Sequence, residues 1–226
     1  GGVSRNRIIK LTPNGTLDAS FQAGTGFDTT PLDLCVQADG KVVVVGASTY
    51  NGVACNGIVR LNTDGSHDNT LQTGTAFSGS PISVACNWSG IFVGGSHDMS
   101  YNGSTPAPVV QLSYAGLLMG HLNPPEPWGR VGHQILATDQ HVAVVFQYYS
   151  SFEIHRFLWD GTLDAAFAGI TGTGYEFDLQ PAANGGYFFG SHAGTINGQP
   201  HVGLVKITEA GLVDASFNPS LDLGGS

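Results

Sequence analysis

One pattern recurs five times along this 226-residue chain and dictates what the chain can fold into. Two apolar anchors stand three residues apart, a glycine follows four residues after the second, and a large apolar residue comes six beyond that. The copies are IIKLTPNGTLDASF from Ile8, IVRLNTDGSHDNTL from Ile58, VVQLSYAGLLMGHL from Val109, IHRFLWDGTLDAAF from Ile154 and LVKITEAGLVDASF from Leu204. Their starts are separated by 50, 51, 45 and 50 residues. Self-similarity at such a period means one supersecondary unit that buries its apolar face against copies of itself.

Between these copies lies a second recurring segment: LDLCVQADGKVVVVG from Leu32, ISVACNWSGIFVGG from Ile82, HQILATDQHVAVVF from His133 and FDLQPAANGGYFFG from Phe177. Each is two short apolar runs split by a polar turn, and Asp39-Gly40 is a strong hairpin signal. The β-branched run Val42 to Val45 favours strand, and no segment shows a capped 3.6-residue period. One repeat therefore holds two hairpins, with strands expected near 32–37, 41–46, 57–62 and 66–71. The turn Tyr50-Asn51-Gly52, echoed by Tyr101-Asn102-Gly103 and Ile196-Asn197-Gly198, joins them.

Four antiparallel strands in 40 to 50 residues make the blade of a β-propeller. The expected fold is all-β, a propeller-like array of four-stranded antiparallel blades with about 50 residues per repeat and roughly 4.5 repeats in a single segment, 1–226. It divides into a half-blade at 1–24 and blades at 25–74, 75–125, 126–170 and 171–226. The chain holds five copies of the second hairpin and four of the first, so it reads as a fragment of a longer protein.

Charge follows the repeat. Lys10, Arg60, Arg156 and Lys206 precede the second anchor in four copies, and Asp18, Asp68, Asp164 and Asp214 stand eight residues later. In the third copy both charges vanish together, leaving Gln111 and Met119. With a three-residue turn centred on Asp64, Arg60 and Asp68 face each other across two strands. The expectation is a set of near-surface ion pairs that set register, each contributing about 0.2–1 kcal/mol.

Charged residues are only 11% of the chain, while Gly reaches 33 and apolar content is 41%, which suits many strands joined by tight turns. Seventeen acidic and eight basic residues give a net charge of −9 and no basic stripe, which argues against nucleic acid and anionic membrane surfaces as partners. No apolar run approaches the roughly 20 residues of a spanning helix, so membrane insertion is not expected. Cys35, Cys55 and Cys86 show no metal-binding spacing. Buried free thiols are the expected state of Cys35 and Cys86, with one disulfide as the alternative.

The segments ADGKVVVVG and IVRLNTDGSHDNTL resemble the delta-60 repeat, a family of β-propeller-type repeats of secreted bacterial proteins and some phage proteins. The resemblance covers nearly the whole chain and is strongest over 31–71 and 176–217. It implies a propeller fold and an extracellular, cell-surface or virion setting, and it supplies no catalytic residues to carry over.

The chain has no local signature of nucleophilic catalysis. Gly24-Thr25-Gly26 and Gly172-Thr173-Gly174 precede no helix that would hold a phosphate. They read as flexible links between blades, followed by Phe27, Phe77 and Tyr175 as inter-blade packing residues. Asn14 to Asp18 and its relatives read as turns rather than calcium loops, and His97 and His192, at matching positions, would need further ligands converging in space to hold a metal. No catalytic, metal or cofactor-binding residue is expected, and no cofactor.

Departures from the repeat are the better candidates for function. The segment from Asn123 carries three prolines, Trp128 and Arg130, and Tyr148-Tyr149 and Trp88 also break the pattern. Trp128, Arg130, Tyr148 and Tyr149 are the residue types that anchor interfaces, with a plug of the irregular third blade as the alternative for Trp128; for Trp88 and Trp159 packing between blades is expected ahead of an exposed contact role. The function expected is a non-catalytic module that binds protein chains of the same assembly or a surface glycan. A lyase- or glycosidase-type propeller enzyme with a site in the central channel and a purely architectural spacer are the alternatives.

Overall fold

A computed structural model describes residues 7–125, 129–183 and 185–217. Every regular element among them is a strand, and every strand pairing is antiparallel. The hairpin of β1 (Asp33–Val36) and β2 (Val42–Val45) is extended by β5 (Ile58–Leu61) into a three-stranded sheet. The connection to β5 folds as its own small hairpin, β3 (Thr49–Tyr50) with β4 (Val53–Ala54).

The next stretch repeats this plan with one strand more. β6 (Phe77–Ser78) pairs with β9 (Ser100–Tyr101) beside a four-stranded sheet of β7 (Pro81–Asn87), β8 (Gly90–Gly95), β10 (Val109–Leu112) and β11 (Leu118–His121). The remaining strands run as one six-stranded meander: β12 (Val131–Ala137), β13 (Val142–Tyr148), β14 (Ser151–Phe157), β15 (Ile170–Ala182), β16 (Gly186–Ile196) and β17 (Gln199–Ile207).

The three larger sheets stack in series, β1 beside β7 and β7 beside β12, and the six-stranded sheet curls so that its own β12 comes beside β15. Val43 and Val45 of β2 join one core layer with Ile91 and Val93 of β8, while Val44 joins another with Phe27 and Tyr50. A strand buried on both faces cannot alternate apolar with polar, which is why these segments read as continuous apolar runs. A disulfide joins Cys35 of β1 to Cys86 of β7, with Cα atoms 6.1 Å apart, and Cys55 is a buried free thiol. The free-thiol expectation thus fails for Cys35 and Cys86. Their neighbouring strands bring the two Cα atoms within bridging range.

The expected fourth strand at 66–71 does not form; only one bridge, Leu61↔His67, is made there. Equivalent single bridges are Leu11↔Leu17, Phe157↔Leu163 and Ile207↔Val213. The cause is the aspartate that follows. In each case its backbone N–H donates to the Lys or Arg carbonyl, as Asp68 does to Arg60 at 2.9 Å, and its Oδ1 then accepts the N–H two residues on, as from Thr70 at 2.9 Å. That side-chain turn diverts the chain from the ladder. Where Met119 replaces the aspartate, nothing diverts it and β11 continues.

The other carboxylate oxygen holds the base. Arg60 Nε lies 2.7 Å from Asp68 Oδ2, Arg156 Nε 2.6 Å from Asp164 Oδ2, Lys10 Nζ 3.1 Å from Asp18 Oδ2 and Lys206 Nζ 3.0 Å from Asp214 Oδ2. The expected surface position is wrong for the two arginine pairs: Arg60 and Asp68 are only 5% and 4% exposed. The reason is that the guanidinium is clasped by the following repeat, Arg60 donating to the Tyr114 carbonyl at 2.5 Å and Arg156 to that of Glu209 at 2.8 Å.

Candidate functional site

The third repeat differs from its neighbours at the joint between hairpins. In the first, Tyr50 is fully buried, its hydroxyl donates to the Gly65 carbonyl at 2.5 Å, and its ring lies 4.7 Å from that of Phe27. Tyr101 repeats this with Gly116 at 2.6 Å and Phe77 at 4.9 Å. The following asparagine closes the joint: Asn51 Oδ1 accepts the Gly26 N–H at 2.9 Å, and Asn102 Oδ1 that of Ala76 at 3.0 Å. The Gly24-Thr25-Gly26 link is therefore clamped rather than flexible. Phe27 and Phe77 are buried as expected, whereas Tyr175 is exposed, since Gly174 bonds instead to the Ser150 carbonyl in the merged sheet.

Asn51, Asn102 and Asn197 all hold left-handed backbone, at φ 50°, 51° and 49°. Asparagine tolerates this conformation because its short side chain bonds the local backbone. At the equivalent point in the third repeat stands Tyr149, at φ 51°. It sits in the two-residue loop between β13 and β14, where Tyr148 pairs with Ser151. A bulky side chain is uncommon there, and such backbone costs on the order of 1–3 kcal/mol. The ring gains no burial in return, being 81% exposed.

Around Tyr149 the structure gathers three of the four sequence-predicted interface residues. Tyr148 and Tyr149 meet edge to face with centroids 4.5 Å apart. The Arg130 guanidinium lies 5.3 Å from the Tyr148 centroid and donates to Glu153 Oε1 at 2.5 Å. Glu153 Oε2 lies 3.0 Å from His155 Nε2, so one carboxylate fixes both neighbours. Gly129 packs flush on Tyr148, since a Cβ there would come 2.5 Å from Cε2. The fourth predicted residue, Trp128, lies outside the described residues. Glu153 and His155 were not foreseen, although two polar residues spaced i, i+2 on a strand necessarily share a face.

The Gly129 end of this patch opens on a cleft of about 450 Å³ lined by His97, Asp98, Pro106, Pro108 and Asn123. Asp98 sits below the usual carboxylate range, held there first by a hydrogen bond from Ser96 and then by its own backbone amide. The arrangement is a partly rigid surface of rings, one fixed guanidinium and a mixed apolar and polar hollow. Among the described residues no three His, Cys, Asp or Glu side chains gather at metal-binding distance.

Trp88 and Trp159 do meet across repeats, with centroids 5.0 Å apart, but they are 55% and 52% exposed. The expected packing between repeats is made, but without the expected burial, because both stand on hairpin turns.

Residues 1–21 and 37–71 match the family model described as a domain of unknown function (DUF5122) beta-propeller. No curated protein matches the chain, and no solved structure does. The match supports a β-propeller repeat family for these segments.

Proposed function

We propose that this chain is a non-catalytic propeller module, built from four-stranded repeats of about 50 residues of the delta-60 kind, in a larger extracellular, cell-surface or virion assembly. Its third repeat presents Tyr149, Tyr148 and Arg130 to a protein partner. The observation that carries this reading is Tyr149. A strained backbone bearing an exposed ring, at a position where three other repeats place asparagine, is unfavourable for folding and is retained when the ring itself is used. Tyrosine and arginine are also the side chains most often found at the energetic centre of interfaces. The Cys35–Cys86 disulfide supports an oxidising compartment.

Tyr149→Asn tests the proposal. The substitution restores the side chain of the other repeats, so the urea midpoint is expected to rise, by the equivalent of about 0.5–1 kcal/mol. Capture of the native partner, assayed by crosslinking within the intact assembly, is expected to fall about tenfold or more. A variant that is stabilised and still assembles normally would exclude Tyr149 as an anchor.

A further inference from the structure

A second set of exposed rings lies along the turns of the second and third repeats. The Tyr114 hydroxyl donates to the Asn87 carbonyl, the next residue is Trp88, and the Trp88 ring meets that of Trp159. The Trp88 ring and the Trp159 main chain are each held by a hydrogen bond to or from a neighbouring repeat. Trp88 Nε1 donates to the Asp139 carbonyl at 2.8 Å, and the Trp159 carbonyl accepts from Gln111 Nε2 at 3.1 Å. The result is a strip of partly exposed rings along the turns.

At the Tyr114 end the strip adjoins a cavity of about 280 Å³ between repeats, lined by Gln37, Asp39, Lys41, Arg60 and Tyr114. Gln37 is 6% exposed, and its side-chain Nε2 has no hydrogen-bond partner. The Gln37 Oε1 accepts from Arg60 at 3.4 Å, and a hydroxyl oxygen entering the cavity is an acceptor that would satisfy its costly orphaned N–H. Asp39 Oδ1 accepts from the Lys41 N–H at 3.1 Å, which leaves capacity on that carboxylate for a donor. The nearby cations are committed, since Lys41 Nζ and Arg60 Nε both lie on Asp68 Oδ2.

We propose that the Tyr114–Trp88–Trp159 strip with the Gln37–Asp39 cavity binds a neutral oligosaccharide. Sugar rings present C–H faces that stack on aromatic planes, and each hydroxyl both donates and accepts, which meets an unpaired amide N–H and a carboxylate together. The occupant is neutral because Asp39, Asp139 and Asp160 flank the rings and the chain carries a net charge of −9, so an acidic glycan is repelled. This site is independent of Tyr149.

The test titrates cellohexaose, maltohexaose, xylohexaose, mannohexaose and N-acetylchitohexaose, each to about 1 mM, into the full chain, followed by tryptophan fluorescence and calorimetry. At least one is expected to bind and to shift the emission. Trp159→Ala and Gln37→Leu should each weaken that binding about tenfold or more, while Trp159→Phe, which keeps a ring, and Tyr149→Asn leave it nearly unchanged. Melting of each variant is recorded alongside, and Trp159→Phe keeps the comparison valid if the alanine variant unfolds. No binding by any of the five sugars overturns the proposal. So does wild-type affinity in Trp159→Ala, or binding confined to hyaluronan or to a lysine-rich peptide.

Discussion

Gln111 reaches 48 residues along the chain to donate to the carbonyl oxygen of Trp159 at 3.1 Å. Arg60 makes the same reach to Tyr114 and Arg156 to Glu209. The arginines perform two tasks, holding the aspartate of their own hairpin and clasping the next one, and Gln111 keeps only the second. Joint loss of charge in the third copy therefore leaves no stranded partner behind.

Removing Asp68 strands the buried Arg60, whereas removing Arg60 leaves Asp68 its Lys41 and Thr70 partners. Asp68→Ala alone is expected to cost about 3–5 kcal/mol, and Arg60→Ala less. The double variant should cost clearly less than the sum, with a coupling of at least about 1 kcal/mol in urea denaturation. Lys10→Ala should cost less than either, since Lys10 is largely exposed. Additive single costs at Arg60 and Asp68 would refute the pair.

Acid should unfold the protein in two stages. Burial holds His121, His133 and His141 below the ordinary histidine value, with Arg156 adding to the effect at His141. Their neutral forms favour the fold, so stability is complete above about pH 6.5 and declines as pH falls through their depressed values. Burial alone would raise Asp68, but hydrogen bonds from Lys41 and Thr70, and from Arg60, outweigh it and leave it well below the carboxylate range. Asp18 and Asp214 are lowered to about 2, chiefly by Ser20 and Ser216 respectively. These carboxylates contribute stability above about pH 4 that is lost on further acidification. Urea midpoints measured from pH 8 to pH 2 should show both declines.

Gly15 and Gly65 occupy the same turn with nearly equal φ, 80° and 86°. A Cβ on Gly15 meets nothing within 4 Å, whereas on Gly65 it comes within 3.0–3.1 Å of the Gln22 backbone. Gly15→Ala should cost about 1 kcal/mol from left-handed strain alone, and Gly65→Ala measurably more. Equal losses in thermal denaturation would show that the inter-repeat contact at Gly65 is slack.

Thiol titration should count none in the native protein, one after unfolding and three after reduction. Cys55 escapes in the native state because burial pushes its thiol up to about 11. Cys35→Ser with Cys86→Ser should lower stability by about 2–4 kcal/mol through the freed loop.

The fold was legible where chemistry repeats. Turn glycines, apolar anchors and the recurrent Lys/Arg and Asp positions located hairpins and ion pairs. The missing fourth strand was not legible, since Asp68 was read for its charge and not for its second oxygen, which ends the strand. Merging of the last repeats was hidden for another reason. Ser151↔Thr173 and Ile154↔Ile170 pair because β14 runs straight from the two-residue Tyr149 loop, a backbone outcome that no residue type announces. Arg130, Tyr148 and Tyr149 stood out as breaks in the pattern, but Glu153, which ties the patch to His155, looked like an ordinary strand residue.

The turns of successive repeats are also joined through main-chain atoms: Gln22 N–H to the Asp64 carbonyl, Gln72 to Ala115 and Ala168 to Ala210, at 2.7, 2.8 and 2.9 Å. A bond between two peptide groups is indifferent to the side chains that flank it. Selection can therefore rewrite the exposed turn residues freely, Thr63 in one copy, Tyr114 and Trp159 in others, without loosening the stack. Duplication of a hairpin supplies a new copy already able to dock, and its outward chemistry is then free to drift toward a different ligand.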